Sequence, residues 1–487
     1  MKAYDVATIR ALEAQAIEEV GDDALMQRAA RGLAAVAIRQ LIKISGGVYG
    51  RRVLVLVGPG NNGGDALFAA ARLALRGASV TAVRCLGRPH PRGLVALQAA
   101  GGRLLELKRL ALDDDDPPGI VTAADLVLDG VLGIGGRPGL PDDVAALARI
   151  CERRHLPTIA VDLPSGVDAD TGADPEDSFR ATRTVTFGEL KPCHLLEPAR
   201  SRCGDVELVD IGLPDRDRQA PGRWLDQFDA LDLVIGWPYP DAASDKYSRG
   251  VVGIDTGSDD YPGAGVMSTC GAVYAGAGMV RFLGATAPAD LIRSRLPNVV
   301  FSPGRVQAHL LGSGWGDRDD GHRVISDALA SGLPAVVDAD GLKYLPDELP
   351  PSWLLTPHAG ELARLLDQDR SWVTADPVRA VCAAADRTGA TVLLKGATQL
   401  VAEPANQRVH VAVPGPAWTA QAGSGDVLAG ICATVLAAGL GSASAALFGA
   451  SLQAIAARRH PGPIPPVELA QLLPAEIARL QRKRDPR

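Results

Sequence analysis

Short unbroken apolar runs, separated by amphipathic stretches, set the rhythm of this chain. Val53-Leu54-Val55-Leu56-Val57 predicts a strand buried on both faces, because successive residues of an extended chain point to opposite sides. Before it, residues 7–42 predict two helices, the second starting at Ala24-Leu25-Met26. After it the pattern alternates: strand 53–57, helix 66–76, strand 79–83, helix 92–100, strand 125–128, helix 142–154, strand 158–161. Thr184–Phe187 and Asp205–Asp210 complete this first set. Such alternation predicts right-handed crossovers and a mostly parallel sheet with helices on both faces, an α/β fold.

A second alternation follows a polar stretch, Asp215–Gly222, that predicts a linker. It runs strand 251–255, helix 264–276, strands 279–283 and 308–311, helix 319–331, then strands 335–338, 353–355 and 391–394. Two apolar helices come after residue 426. The expected organisation is two domains, 1–214 and 223–487, which suits 487 residues. Val427–Gln453 has no charged residue and is long enough to span a bilayer. Gly439, Gly441, Ser442 and Ser444 divide it, so it predicts buried core and no membrane association.

Composition narrows the function classes. A net charge of −7 and a pI near 5.7 exclude a broad basic surface for nucleic acid. The basic end, Arg479–Arg487, and the acidic run Asp113–Asp116 read as solvated segments. Seven scattered cysteines without a CxxC pair predict reduced thiols and no zinc site. With no apolar signal core in Met1–Asp5, the expected location is cytoplasmic. Small-residue helices such as Ala445–Ala457 suit burial against a second copy, and a homo-oligomer is expected.

Two glycine-rich turns carry the candidate chemistry. Thr419–Asp426 ends in Gly423-Ser424-Gly425-Asp426 and runs straight into the apolar helix. Glycines there let the chain turn sharply and aim first-turn amides outward as an anion hole. A carboxylate at its mouth is placed to take a proton from a hydroxyl that attacks a phosphoryl group, which makes Asp426 the candidate base. The plainer reading of Asp426 is a helix N-cap. Gly58-Pro59-Gly60-Asn61-Asn62-Gly63-Gly64-Asp65 follows strand 53–57 and is again a phosphate-cradle arrangement. Asp129–Gly135 and Asp162–Gly166 fall at other strand ends, where ligands bind in such sheets. Asp162 is a proton-transfer candidate. Asn62, Asp129 and Ser165 offer hard oxygens with one carboxylate, a set suited to a monovalent cation.

Three segments, Pro59–Asp65, Asp162–Gly172 and Phe187-Gly188-Glu189-Leu190-Lys191-Pro192, resemble the signatures of the NAD(P)H-hydrate epimerase family. Thr356-Pro357-His358-Ala359-Gly360-Glu361, Leu394–Ala397 and Ala422–Asp426 resemble the ribokinase-like NAD(P)H-hydrate dehydratase family. The resemblance implies an N-terminal Rossmann-like three-layer sandwich and a C-terminal ribokinase-like α/β domain, acting together in nicotinamide nucleotide repair. In the first half it implies that Asn61, Asn62, Gly63, Gly64, Asp65, the run Gly133-Ile134-Gly135-Gly136-Arg137-Pro138-Gly139 and Asp162 hold hydrated NADH or NADPH. Potassium (K+) is implied on Asn62, Asp129 and Ser165. In the second half Ala264, Gly316, His358 and Asp426 are implied to contact the hydrated nucleotide. Lys395, Gly396, Ala397, Thr398, Gln399 and Gly425 are implied to hold ADP, the phosphoryl donor, with magnesium (Mg2+).

The chain departs from the family pattern at Ile134, where threonine is usual, at Ala66 for glycine, at Ser313 for proline, and at Asp245-Lys246-Tyr247 for His-Lys-Gly. None of these removes a proposed acid or base. A competing expectation is a ribokinase-type kinase that phosphorylates an alcohol and stops, with a non-catalytic binding module as its N-terminal half.

Overall fold

The structure is a computed structural model that describes residues 1–110, 112–113, 116–175, 177–214 and 224–485. The expected linker, Asp215–Gly222, lies outside the described residues, as does part of the acidic run 113–116. The chain divides into two compact units, Met1–Trp224 and Leu225–Arg487.

The first unit is built on a seven-stranded sheet. Its order is 103–106, 79–84, 52–57, 126–130, 158–161, 183–187, 205–209, and every pairing is parallel. Val53, Val55 and Val57 face helices 22–45 and 61–75, whereas Leu54 and Leu56 face helix 142–153. Both faces are therefore covered, which is why that strand reads as an uninterrupted apolar run. Strand order reverses beside 52–57, whose neighbours are 79–84 and 126–130, and a crevice opens at the carboxyl ends there.

The glycine-rich turn differs from expectation in one respect: the helix begins at Asn61, five residues before Ala66. Gly60, with φ of 89°, turns the chain early, and Asn61 to Asp65 form the first turns of the helix instead of a loop ahead of it. Close approach demands the glycines. A Cβ at Gly58 would collide with the Val131 carbonyl, and one at Gly63 with the Gly58 carbonyl.

In the second unit the strand order is 224–227, 408–411, 400–402, 391–394, 354–355, 335–337, 308–311, 251–255, 279–282. The last six are mutually parallel, and 391–394, 400–402 and 408–411 form antiparallel hairpins. Helices 262–274 and 424–437 lie against each other backbone to backbone. A Cβ at Gly430 would strike the Ser268 carbonyl, and one at Gly271 the Val427 carbonyl.

Helix 442–459 buries Ala445, Ala446, Ala450, Ala454, Ala456 and Ala457 in its own unit. The face expected to meet a second copy is spent internally, so the homo-oligomer expectation loses the observation on which it rested. Among the described residues no helix is long and apolar enough to cross a membrane. The basic end is helical as far as Arg484: helix 466–484 buries Leu480 and Arg479 pairs with Glu476, while Arg482, Lys483 and Arg484 are exposed to solvent as expected.

Candidate active sites

In the first unit a cavity of about 560 Å³ opens at the switch point. Asn61, Asn62, Asp65, Gly133, Ile134, Gly135, Gly136 and Asp162 line it, together with Arg10, Glu13 and Asp22 from the two N-terminal helices. Gly63 and Gly64 are buried in the helix turn beneath. Arg137, Pro138 and Gly139 are not among the lining residues.

Asp162 is the best-anchored of these groups. Its backbone is left-handed, with φ of 68°, a conformation that non-glycine residues hold only when their surroundings fix it. Oδ1 accepts from Lys191 Nζ at 2.5 Å and from Thr186 Oγ1 at 3.0 Å. The buried Lys191 ammonium spends its other protons on Thr186 Oγ1 at 2.9 Å and the Phe187 carbonyl at 3.2 Å. His194 completes the frame. Its Nδ1 accepts from the Lys191 amide at 3.0 Å, so the proton sits on Nε2, which donates to the Asp162 carbonyl at 2.9 Å.

Around this pair the other carboxyls are short of partners. Burial, then the charges of Asp162, Glu13 and Asp22, push the Asp65 carboxyl well above the usual carboxylate range, and its Oδ1 has no hydrogen-bond partner. Burial and the Asp162 charge also raise Glu13, against the pull of Lys191 and Arg10.

Asp129 and Ser165 meet directly, and Asn62 is linked to them through the backbone of Leu132. Ser165 Oγ donates to Asp129 Oδ1 at 2.6 Å and its amide donates to Oδ2 at 2.8 Å, while Asn62 Nδ2 donates to the Leu132 carbonyl at 2.9 Å. Burial raises Asp129 to about 6, with the bonds from Ser165 and Val131 opposing it.

The second unit gathers its charged groups at the carboxyl ends of neighbouring strands. Strand 335–337 delivers Asp338, strand 391–394 delivers Lys395, and the loop after 308–311 delivers Ser313. Asp338 is almost wholly buried. Its Oδ1 accepts from Lys395 Nζ at 2.6 Å and Thr356 Oγ1 at 2.8 Å, and its Oδ2 from Ser313 Oγ at 2.9 Å. Glu361 Oε2 stands 4.0 Å from the same ammonium. Burial alone would lower Lys395; the charges of Asp338 and Glu361 outweigh it and raise it above the usual lysine value. Lys395, implied to hold ADP, is seated on the Asp338 carboxylate. A Cβ on Gly425 would lie 3.1 Å from its Nζ, so the lysine sits against the 423–426 turn.

Asp426 occupies the first turn of helix 424–437, three residues beyond Gly423, which takes the cap position at φ of 92°. It is therefore not the N-cap. No side chain caps this helix; the Ser424 amide donates to the Gln421 carbonyl at 3.2 Å, which leaves those of Gly425 and Asp426 to face a ligand. Burial, then the Asp338 charge, push the Asp426 carboxyl to about 7, while Lys395 draws it down.

His358 serves the framework. Its Nδ1 accepts from the Gly360 and Glu361 amides at 3.0 and 3.1 Å, capping helix 359–365, and its ring is left largely exposed. The Gly316 amide donates to Asp340 Oδ2 at 2.9 Å, in the glycine loop that packs on Ala264. Gly396, Ala397, Thr398 and Gln399 form the hairpin turn between strands 391–394 and 400–402, and Gln399 Oε1 is buried without a hydrogen-bond partner. Sequence reasoning missed Glu13, His194 and Asp338, and quoted Lys191 and Glu361 without assigning them a role. For Asp338 the signal was present, a carboxylate at the end of the predicted strand 335–338, and Lys191 stands four residues beyond the predicted strand 184–187.

Comparison with known proteins gives matches to both halves. The family described as NAD(P)H-hydrate dehydratase matches residues 252–475, and that described as YjeF-related protein N-terminus matches residues 22–193. The bifunctional NAD(P)H-hydrate repair enzyme Nnr of Mycobacterium tuberculosis is 43% identical over 455 residues, covering 91% of this chain and 90% of that protein. The protein of the same name from Mycobacterium leprae is 43% identical over 476 residues, covering 94% and 95%. Among solved structures, the ADP/ATP-dependent NAD(P)H-hydrate dehydratase of Bacillus subtilis, co-crystallised with ATP and Mg2+, aligns at a TM-score of 0.49 and 22% identity, covering 52% of this chain and 97% of that one.

Proposed function

Since the chain belongs to the family of bifunctional NAD(P)H-hydrate repair enzymes, we propose that its two halves carry two successive reactions. Residues 1–214 interconvert the R and S epimers of hydrated NADH or NADPH. Residues 223–487 dehydrate the S epimer at the expense of ADP, releasing AMP, phosphate and the restored dinucleotide. The substrates are small molecules. A cytoplasmic setting agrees with seven buried cysteines, none of which forms a disulfide.

The observation that carries the second reaction is Asp426, a carboxyl raised to about 7 at an uncapped helix N-terminus. A ring hydroxyl is a poor leaving group, and phosphorylating it turns it into a good one. Asp426 takes the hydroxyl proton as the oxygen attacks the terminal phosphoryl of ADP, and the first-turn amides steady the charge on phosphate. A base whose pKa lies near neutrality has the right proton affinity for that step. Gly425, with no side chain, leaves the phosphate room beside Lys395.

Potassium and magnesium are tested differently by the residues present. Asn62, Asp129 and Ser165 carry an amide oxygen, a carboxylate and a hydroxyl oxygen, with the single carboxylate already hydrogen-bonded at both oxygens, and this set fits a weakly held monovalent ion. For magnesium, no group of three acidic, histidine or cysteine side chains among the described residues could hold an ion. Magnesium, which neutralises phosphate charge, fits as an ion carried in by the nucleotide. The carboxyls of Asp338, Glu361 and Asp426 outnumber the single Lys395 ammonium, so a phosphate accompanied by a cation is the better guest.

The test is to incubate the purified chain with hydrated NADH, ADP and magnesium and follow the absorbance of the reduced ring. Recovery of absorbance with release of free phosphate is expected. No recovery with either ADP or ATP refutes the assignment, and a stable phosphorylated alcohol would mark a kinase instead.

A further inference from the structure

The epimerase cavity holds an acidic residue that neither sequence reasoning nor the family matches assigned. Glu13 lies on helix 6–20 and lines the cavity with Asp162, Asp65 and Asp22. Asp162 has Oδ1 tied to Lys191 and Thr186, and its Oδ2 accepts no hydrogen bond from the described residues. Asp65 is only 8% exposed and its Oδ1 is without a hydrogen-bond partner, a buried acceptor waiting for a donor from a ligand. So the cavity is an acidic box in which the one buried lysine is already spent on Asp162, Thr186 and Phe187.

Resting on the epimerase reading above, we propose that Glu13 and Asp162 form an acid–base pair that inverts the hydrated carbon through a cationic ring. That carbon bears both the hydroxyl and the ring nitrogen. Protonated Glu13 gives its proton to the hydroxyl, the C–O bond breaks, and water departs. The nitrogen lone pair moves into an N=C bond, which puts a positive charge on the ring. Water then adds to the opposite face and yields its proton to Asp162. For the other epimer the roles reverse, with Asp162 protonated and Glu13 ionised. The carboxylate that Glu13 becomes on giving up its proton, with Asp162, offsets the charge of the ring, and no oxidant or further reactant is needed.

The groups facing Glu13 are Arg10 on its own helix, Asp22 at the start of helix 22–45, Asp65 on helix 61–75, Asp162 after strand 158–161 and Lys191 after strand 183–187. Its carboxyl is raised by burial and by Asp162, so it retains its proton to higher pH than an exposed glutamate would. Glu13 is half-buried, and solvent can reset its proton after each turnover.

The experiment uses the full chain without ADP, so that dehydration is silent, and follows interconversion of purified R and S hydrates. Glu13→Gln is expected to slow inversion at least about 100-fold, the contribution of a positioned acid, and Glu13→Asp to recover part of the loss. ADP-dependent dehydration of the S epimer by the same Glu13→Gln sample should equal wild type, which fixes the concentration of active chain, and cooperative urea unfolding of the N-terminal unit should be retained, which controls for folding where the substitution lies. In ¹⁸O-labelled water each inversion should bring in one solvent oxygen. Inversion by Glu13→Gln within about threefold of wild type, below the usual value of a catalytic acid, or inversion that retains the original oxygen, overturns the inference. Failure of the wild-type chain to invert the hydrate at all refutes instead the epimerase reading on which it rests.

Discussion

Asp426→Asn should abolish dehydration and at the same time stabilise the protein above neutral pH. Asp426 carries a carboxyl whose ordinary pKa is 3.8 and which the folded chain raises to about 7. Between those values the folded state binds a proton that the unfolded state has lost, so stability falls as pH climbs from about 4 to about 7 and stays low beyond. A difference of about 3 pH units corresponds to at most on the order of 4 kcal/mol. Solvent screening of a half-buried group, and the lost attraction to Lys395, leave roughly 1–3 kcal/mol. Lys395 keeps Asp338 at 2.6 Å, so the variant orphans no buried charge. Urea unfolding of the C-terminal unit should therefore show Asp426→Asn more stable than wild type at pH 8, with the gap cut to less than half at pH 5 and closing only below about pH 4, where the carboxyl is neutral in the unfolded chain as well. The hydrate-repair rate should fall by about 10²–10⁴, the span of general-base catalysis. A variant less stable than wild type at pH 8, or a stability gap equal at both pH values, would refute the account of Asp426 as a strained, desolvated base.

Other predictions concern the framework. Lys191→Met leaves Asp162 as an uncompensated buried charge and should cost the N-terminal unit about 3–5 kcal/mol in chemical unfolding, with Asp162→Asn restoring much of it in the double variant. Ser165→Ala removes the 2.6 Å bond to Asp129 and should cost about 1–3 kcal/mol; it should also blunt any potassium dependence of epimerisation, measured by exchanging potassium for tetramethylammonium. Gly430→Ala drives a methyl into the Ser268 carbonyl, and about 1–3 kcal/mol of destabilisation with loss of dehydratase rate is expected. Gly439→Ala, whose Cβ would meet nothing within 4 Å, serves as its comparison for packing, although its φ of 91° adds backbone strain of its own.

Much of the architecture was legible because the central strands are buried on both faces. Runs such as Val53–Val57 and Val251–Asp255 have no other reading once glycine turns bracket them. Short strands with polar residues were harder to see. Arg103–Glu106, at a sheet edge, and Arg408–Val411, between two neighbours, both mix charged or polar residues with apolar ones, and nothing in four residues separates them from loop. At the sites, the glycine turns and Asp426 could be read because backbone requirements leave a mark in local sequence. The partners Lys191–Asp162 and Lys395–Asp338 are 29 and 57 positions apart, and only folding reveals that each pair exists. His358 shows the opposite limit. Its motif suggested ligand binding, but in the fold its Nδ1 is committed to the helix end beneath it.

The glycine seam between helices 262–274 and 424–437 also bears on how the catalytic turn keeps its place. Where carbonyls and amides meet without side chains between them, there are no rotamers to shuffle and no slack to absorb a small displacement. The turn at 423–426 opens the second of these helices, so its amides are carried by a seam that side-chain motion does little to loosen.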